Sequence, residues 1–318
     1  MIHLSNGHSF EFAAASGALG FSGKGWRHQK IMNWILKKWK PELAVDFKRL
    51  TKISKTILRY PKKGHPWAVR FVENGTLNAI ALDNPGVARY CVRYAADIKK
   101  SDKLIVSIGG YNISELLAMV RLLNRCDFVG IEYNASCSNI SAEEFSNFYN
   151  SDLIIEICKI LVAEFSHPLL LKLNYLQDFL KIARALEGIA QAISLNSIPF
   201  SFIYPLKKSP LEKFGGGAVS GKIIQPYNWE MAEELEYKTN IPVIWSSIYD
   251  LDDIQRLARK KREIMLQKCG PAVQAISFGS VFLKHFWRIN SLMEAWKKIK
   301  ESGLVPENSP VYAGQLIV

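Results

Sequence analysis

The sequence predicts an α/β chain folded as a (β/α)8 TIM barrel behind a small N-terminal β-hairpin. Three observations carry this expectation. Short apolar runs alternate with amphipathic stretches of helical length from Leu104 onward, the order expected of parallel strands joined by crossover helices. Counting those runs along the whole chain gives eight, the number that closes a barrel. Polar residues gather just beyond the C-terminal ends of the runs, where such barrels build their sites.

In chain order, residues 2–4 and 9–12 flank Asn6-Gly7, a pair suited to the positive φ angles of a tight hairpin turn. Residues 12–15 form the first barrel strand and run into Ser16-Gly17-Ala18-Leu19-Gly20, where small residues let a ligand or another backbone come close. A helix follows over about 26–38, stopped by Pro41. Residues 49–54 make the second strand and deliver Lys55 and Thr56 at its end. Pro61, Gly64 and Pro66 then impose a loop, and the stretch through Asn74-Gly75 to Gly86 reads as a long irregular segment. Strands at 104–108, 128–133, 169–173, 192–195, 243–245 and 273–277 follow, with helices at about 114–124, 152–164 and 176–187. The insertion from Ser197 to about Tyr227 holds Pro199, Pro205, Pro210 and Gly215-Gly216-Gly217, which makes it a loop over the barrel mouth. No linker interrupts the pattern, so residues 1–318 read as a single domain.

Composition narrows the class. Apolar residues make up 48% of the chain and charged residues 22%, as in folded globular proteins. No apolar run approaches the roughly 18 residues needed to span a bilayer, and the start of the chain does not resemble a signal peptide. A cytoplasmic location is therefore expected. Five cysteines, Cys91, Cys126, Cys137, Cys158 and Cys269, form no Cys-x-x-Cys pair, which fits a reducing compartment and offers no zinc or iron–sulfur framework. A net charge of +12 suits nucleic acid, an acidic membrane surface or a small anion. The basic clusters, Lys37-Lys38, Lys62-Lys63, Lys207-Lys208 and Lys260-Lys261-Arg262, are dispersed, so they read as solvated faces and loop tips, with no nucleic-acid partner expected.

The strand ends supply the chemistry. Ser16 and Gly17, Lys55 and Thr56, Asn134 with Cys137 and Asn139, Lys172, Asn196 and Ser197, Ser246 and Ser247, and Gly279 and Ser280 should face one cavity. Lys172 interrupts Leu169-Leu170-Leu171-Lys172-Leu173, and an ammonium buried in an apolar run requires an anion or an electron-rich ring. Cys137 is the one cysteine that follows a strand, and it sits among amides and hydroxyls. Asparagine carries both a donor and an acceptor, so a set of them can pair with groups of either kind on a bound molecule. A thiol near two ammonium groups can act as a base near neutral pH.

These residues resemble the dihydroorotate dehydrogenase family. The resemblance rests on Lys55-Thr56, Asn78 to Gly86, Asn134 to Asn139, Lys172, Asn196-Ser197 and Gly217-Ala218-Val219-Ser220-Gly221, in the family's order, between Ala15-Ser16-Gly17 and Gly279-Ser280. It implies an FMN-dependent barrel that oxidises dihydroorotate to orotate in pyrimidine synthesis. Lys55, Asn78, Asn134, Asn139, Asn196 and Ser197 would hold the substrate. Ala15, Ser16, Gly17, Lys55, Thr56, Asn134, Lys172, Ser220, Gly221, Ser246, Ser247, Gly279 and Ser280 would hold FMN. Cys137 would take the proton from C5 as hydride leaves C6 for the flavin, with Lys172 neutralising the reduced ring and Lys55 lying between substrate carboxylate and flavin.

The sequence departs from the family at Ser246-Ser247, where a glycine pair is expected, at Ala81 in place of glycine, and at Ser138 in place of proline. A cysteine base resembles the soluble class, so no membrane dock is expected, while a homodimer is implied by the family only. The electron acceptor is left open between fumarate and NAD through an iron–sulfur partner. Two other readings stand beside this one: a related flavin barrel acting on another pyrimidine or on tRNA uridine, and a barrel that has lost FMN and only binds.

Overall fold

The computed structural model describes residues 1–65, 67–136, 147–268 and 270–302. The chain opens with an antiparallel pair, β1 (Ile2–His3) and β2 (Ser9–Phe10), in which Ile2 faces Phe10. The first two barrel strands are β3 (Phe12–Ala14) and β4 (Thr51–Ile53). A hairpin, β5 (Val69–Val72) and β6 (Gly75–Asn78), then leaves the barrel. The barrel resumes with β7 (Leu104–Ile108), β8 (Gly130–Asn134), β9 (Leu169–Leu173) and β10 (Ala192–Leu195). After β11 (Ile198–Pro199) and β12 (Ala218–Gly221), β13 (Val243–Trp245) and β14 (Ala275–Phe278) complete it. The eight barrel strands pair in parallel, and β14 returns to β3 to close the ring.

Period-two alternation explains the two-layered core. Ile131, Tyr133, Leu169, Leu171, Ile193, Leu195, Val243, Trp245, Ile276 and Phe278 belong to the large outer cluster, packed against the helices. Ala13, Ile53, Ile105, Leu170, Ala192, Ile244 and Ala275 form a separate inner cluster. Ile2, Leu4 and Phe10 join that inner cluster, so the N-terminal hairpin plugs the lower end of the barrel. One step further up, the inward positions become polar on every barrel strand but β3, where Ala15 follows Ala13.

Two sequence expectations require correction. The segment around Asn74-Gly75 is the β5–β6 hairpin, and Asn74 takes the positive φ (56°) that the turn requires. The 197–227 insertion is more than a loop: β11 and β12 pair with that hairpin to give a four-stranded antiparallel sheet, order β11-β12-β6-β5. Gly75 makes the pairing of β6 with β12 possible, since a Cβ there would sit 2.2 Å from the Ser220 carbonyl oxygen. Smaller boundary shifts have local causes. The second strand starts at Thr51 because Asp46 caps a turn of 3-10 helix over Phe47–Arg49. The helix between β9 and β10 begins at Phe179 because Asp178 accepts from the Lys181 amide at 3.1 Å.

Candidate functional site

A cleft of about 810 Å³ opens at the C-terminal end of the barrel, with Val69, Phe71, Thr76, Asn78, Ser220 and Gly221 of the antiparallel sheet forming one wall. Its size is that of a cofactor or small-molecule site. The structure brings together Ala15, Ser16, Gly17, Lys55, Thr56, Asn78, Asn134, Lys172, Asn196, Ser197, Ser220, Gly221, Ser246, Ser247, Gly279 and Ser280, all of which line it. Cys137 and Asn139, with Ser138 between them, lie outside the described residues.

Alternation along β9 explains Lys172. Leu171 and Leu173 point outward, so Leu170 and Lys172 point into the barrel, and Lys172 pairs across to Asn134 and Ser194. Its side chain is buried, and among the described residues no hydrogen bond or ion pair reaches its ammonium. The neighbouring carboxylate, Glu132, is fully buried and already engaged: it accepts from Ser107 Oγ at 2.9 Å and from Ser194 Oγ at 2.7 Å. Lys55 enters from the end of β4, donates to the Asp83 carbonyl and lies 5.0 Å from the Phe21 ring centre.

A chain of amides fixes the loop entry after β8. Thr56 Oγ1 accepts from Asn134 Nδ2 at 2.9 Å, and Asn134 Oδ1 accepts from the Ser136 amide at 3.3 Å. Asn196 Nδ2 donates to the Ser136 carbonyl at 2.7 Å and lies 3.0 Å from its hydroxyl. Ser136, wholly buried, is thus held from two strands immediately before Cys137.

The opposite end of the cleft collects hydroxyls. Ser280 Oγ lies 3.3 Å from Thr76 Oγ1. Asn228 Nδ2 lies 3.0 Å from Ser246 Oγ, 3.1 Å from Ser247 Oγ and 3.3 Å from the Asn196 carbonyl. The amide nitrogen has two hydrogens for these three oxygens, and Asn228 Oδ1 is buried with no hydrogen-bond partner among the described residues. Ser247 adopts a φ of 63°, and Ala81 one of 54°. Two of the three positions at which the sequence carries a Cβ residue where the resemblance leads one to expect glycine, Ser247 and Ala81, thus take a left-handed backbone, at a cost of about 1 kcal/mol each.

Asp253 braces the turn that carries these serines. Its Oδ2 accepts from the amides of Tyr249 and Asp250 at 2.9 and 3.1 Å, and its Oδ1 faces Arg256 at 2.7 Å and Lys222 at 3.3 Å. Burial opposes ionisation of this carboxyl, but the hydrogen bonds from Arg256, Gln225 and the two amides outweigh it and hold the group below the usual aspartate value. In the outer layer, burial, with smaller contributions from Tyr111 and Cys158, drives the Tyr133 hydroxyl well above its ordinary value.

Sequence reasoning missed Glu132, Ser107, Ser194, Thr76 and Asn228. For Glu132 a signal existed, since a carboxylate two positions before Asn134 shares its face of the strand. Asn228 lies on the helix Gln225–Lys238, and nothing in the local sequence ties it to Ser246.

A family model described as dihydroorotate dehydrogenase matches residues 44–246. The chain is 29% identical over 198 residues to the dihydroorotate dehydrogenase B (NAD(+)) catalytic subunit of Alkaliphilus metalliredigens, covering 60% of this chain and 65% of that one. It is 30% identical over 198 residues to the protein of the same name from Carboxydothermus hydrogenoformans, covering 60% and 64%. The corresponding protein of Sulfolobus acidocaldarius is 34% identical over 175 residues, covering 54% and 57%. The matched stretch thus spans less than two thirds of each relative's length. Among the described residues, no helix is long and apolar enough to cross a membrane.

Proposed function

Since the chain belongs to the dihydroorotate dehydrogenase family, we propose that its cleft binds FMN and dihydroorotate and oxidises the latter to orotate, as a step of pyrimidine synthesis. The observation that carries this reading is Lys172, whose side chain is largely buried, whose ammonium has no hydrogen-bond or ion-pair partner among the described residues, and which faces the same cleft as Lys55, Asn78, Asn134 and Asn196. A buried cation of this kind calls for an anionic or electron-rich ligand.

The residues present fit FMN. Lys172 would meet the electron-accepting edge of the ring, and Thr56 and Asn134, already joined to each other, would hold polar ring atoms. The hydroxyls of Ser246, Ser247 and Ser280 would donate to the phosphate, in place of a closer approach by glycine backbone. When bound, FMN would supply a two-electron acceptor for a hydride leaving the substrate.

The chain's own groups do the rest. Asn78, Asn134, Asn139, Asn196 and Ser197 would orient the ring through its amides and carboxylate, and Lys55 would neutralise that carboxylate. Cys137, as thiolate, would take the C5 proton while the C6 hydride departs, leaving a C5=C6 double bond. Its place in the sequence directly after Ser136, which Asn134 and Asn196 of the cleft hold, supports that role. We place the protein in a soluble compartment, working on this small molecule.

The test is an absorbance spectrum of the purified protein, followed by anaerobic addition of dihydroorotate. A flavin spectrum that bleaches on addition is expected. A colourless protein that takes up no added FMN would overturn the reading. With Cys137→Ala, orotate should still perturb the flavin spectrum while bleaching slows by about 10²–10⁴-fold; an unchanged rate would remove Cys137 from the mechanism.

A further inference from the structure

The helix Arg27–Trp39 is built inside out. Its buried side chains are Gln29 and Asn33, and both serve backbone groups. Gln29 Nε2 donates to the carbonyls of Ala18 and Phe282 at 3.0 and 3.3 Å. Asn33 donates to the Val45 carbonyl at 3.1 Å and accepts from the Val45 amide at 2.8 Å. Leu36 packs against the core, but most of the large apolar side chains face outward: Ile31 is 52% exposed, Trp34 65%, Ile35 39% and Trp39 73%. At 3.6 residues per turn, Ile31 and Ile35 lie opposite Asn33, with Trp34 on one flank and Trp39 on the other. Amphipathic helices of globular domains turn their apolar stripe inward, so this stripe is not there to build the core.

The charge around it is one-sided. Residues 24–41 contain Lys24, Arg27, Lys30, Lys37, Lys38 and Lys40 and no acidic residue. Lys30, Lys37 and Lys38 are exposed, and the Lys38 ammonium lies 5.6 Å from the Trp39 ring centre.

We propose that this helix seats the protein on an anionic lipid surface, lying in the headgroup plane with Ile31, Trp34, Ile35 and Trp39 inserted. Indole rings prefer that depth, and lysine stems can lie along apolar surface while their ammonium groups reach the phosphates. A second copy is a poorer occupant, because an isologous contact would bring two sets of these cations together with no carboxylate from either segment. A protein partner is also disfavoured, since lysine is depleted in protein interfaces. The proposal replaces the sequence expectation of no membrane dock and does not depend on the chemistry of the cleft. Arg27 and His28, at the start of the helix, line the cleft, so docking would bring one of its walls to the lipid.

The full chain is sedimented with phosphatidylcholine vesicles with and without phosphatidylglycerol, using variants whose melting temperature matches the wild type. Binding is expected only with phosphatidylglycerol. Lys30→Gln/Lys37→Gln/Lys38→Gln should weaken it on the order of 100-fold, and Trp34→Ser/Trp39→Ser should also release the protein. A control that removes equal charge elsewhere, Lys99→Gln/Lys100→Gln/Lys159→Gln, should retain binding. Absence of binding to the anionic vesicles, or an equal loss in the control, would overturn the proposal. So would a solution dimer that Trp34→Ser/Trp39→Ser splits, which would assign the face to a second copy.

Discussion

Lys172 should matter to the reaction more than to the fold. Its ammonium opens on the cleft, so Lys172→Met should leave the melting temperature of the ligand-free protein nearly unchanged, within the equivalent of about 0.5 kcal/mol. The same change should slow flavin reduction by about 10²–10³-fold, because a fixed charge is lost where negative charge develops. Calorimetry of the flavin-free protein and stopped-flow reduction would read the two effects, and a variant that is both less stable and equally fast would refute this account. Ala81 gives a second test at this scale. With φ at 54°, Ala81→Gly should stabilise the chain by about 0.5–1 kcal/mol in chemical denaturation, the relief of left-handed strain exceeding the entropy that glycine adds to the unfolded chain. Lys172 could be found from the sequence because an ammonium in an apolar run has few explanations. Asn228 could not, because its role arises from a contact 18 residues away that only the fold creates.

Among the elements, the turn after β13 depends on Asp253, at the start of the helix Leu251–Lys268. Because its folded pKa is depressed, its contribution is fully present above the ordinary carboxylate value, about 4, and is lost as pH falls through the lower folded value. Asp253→Asn should therefore cost about 2 kcal/mol at neutral pH and flatten the acid limb of the melting profile below about pH 4. An acid limb identical to that of the wild type would show that another carboxylate controls it. The barrel strands were legible because each carries a short apolar run with polar residues gathered just beyond its C-terminal end. The antiparallel sheet over the mouth was not, because β6 pairs with β12 between Asn78 and Ala218, across a sequence distance that no local period reports. Asn74-Gly75 was a visible turn signal, but the exposed β5 lacks the apolar run by which the other strands were found.

The whole molecule carries a net charge of +12, and its proposed substrate is a carboxylate anion. Lengthening the screening distance should therefore speed encounter. The Debye length falls from about 30 Å at 0.01 M salt to about 8 Å at 0.15 M, which removes the distant surface lysines from the field at the cleft. Lys172, buried at the base of the cleft, is screened far less. The expected outcome is a several-fold fall in kcat/KM for dihydroorotate across that range, carried by KM, with kcat nearly constant. Flavin reduction at saturating substrate should follow kcat and stay flat. A kcat that falls in parallel with kcat/KM would mean that salt reaches the reacting centre itself, which contradicts the enclosure of Lys172. A flat kcat/KM would mean that the basic surface does not gather substrate, and its charge would then belong to another partner, such as the lipid surface proposed for the helix Arg27–Trp39.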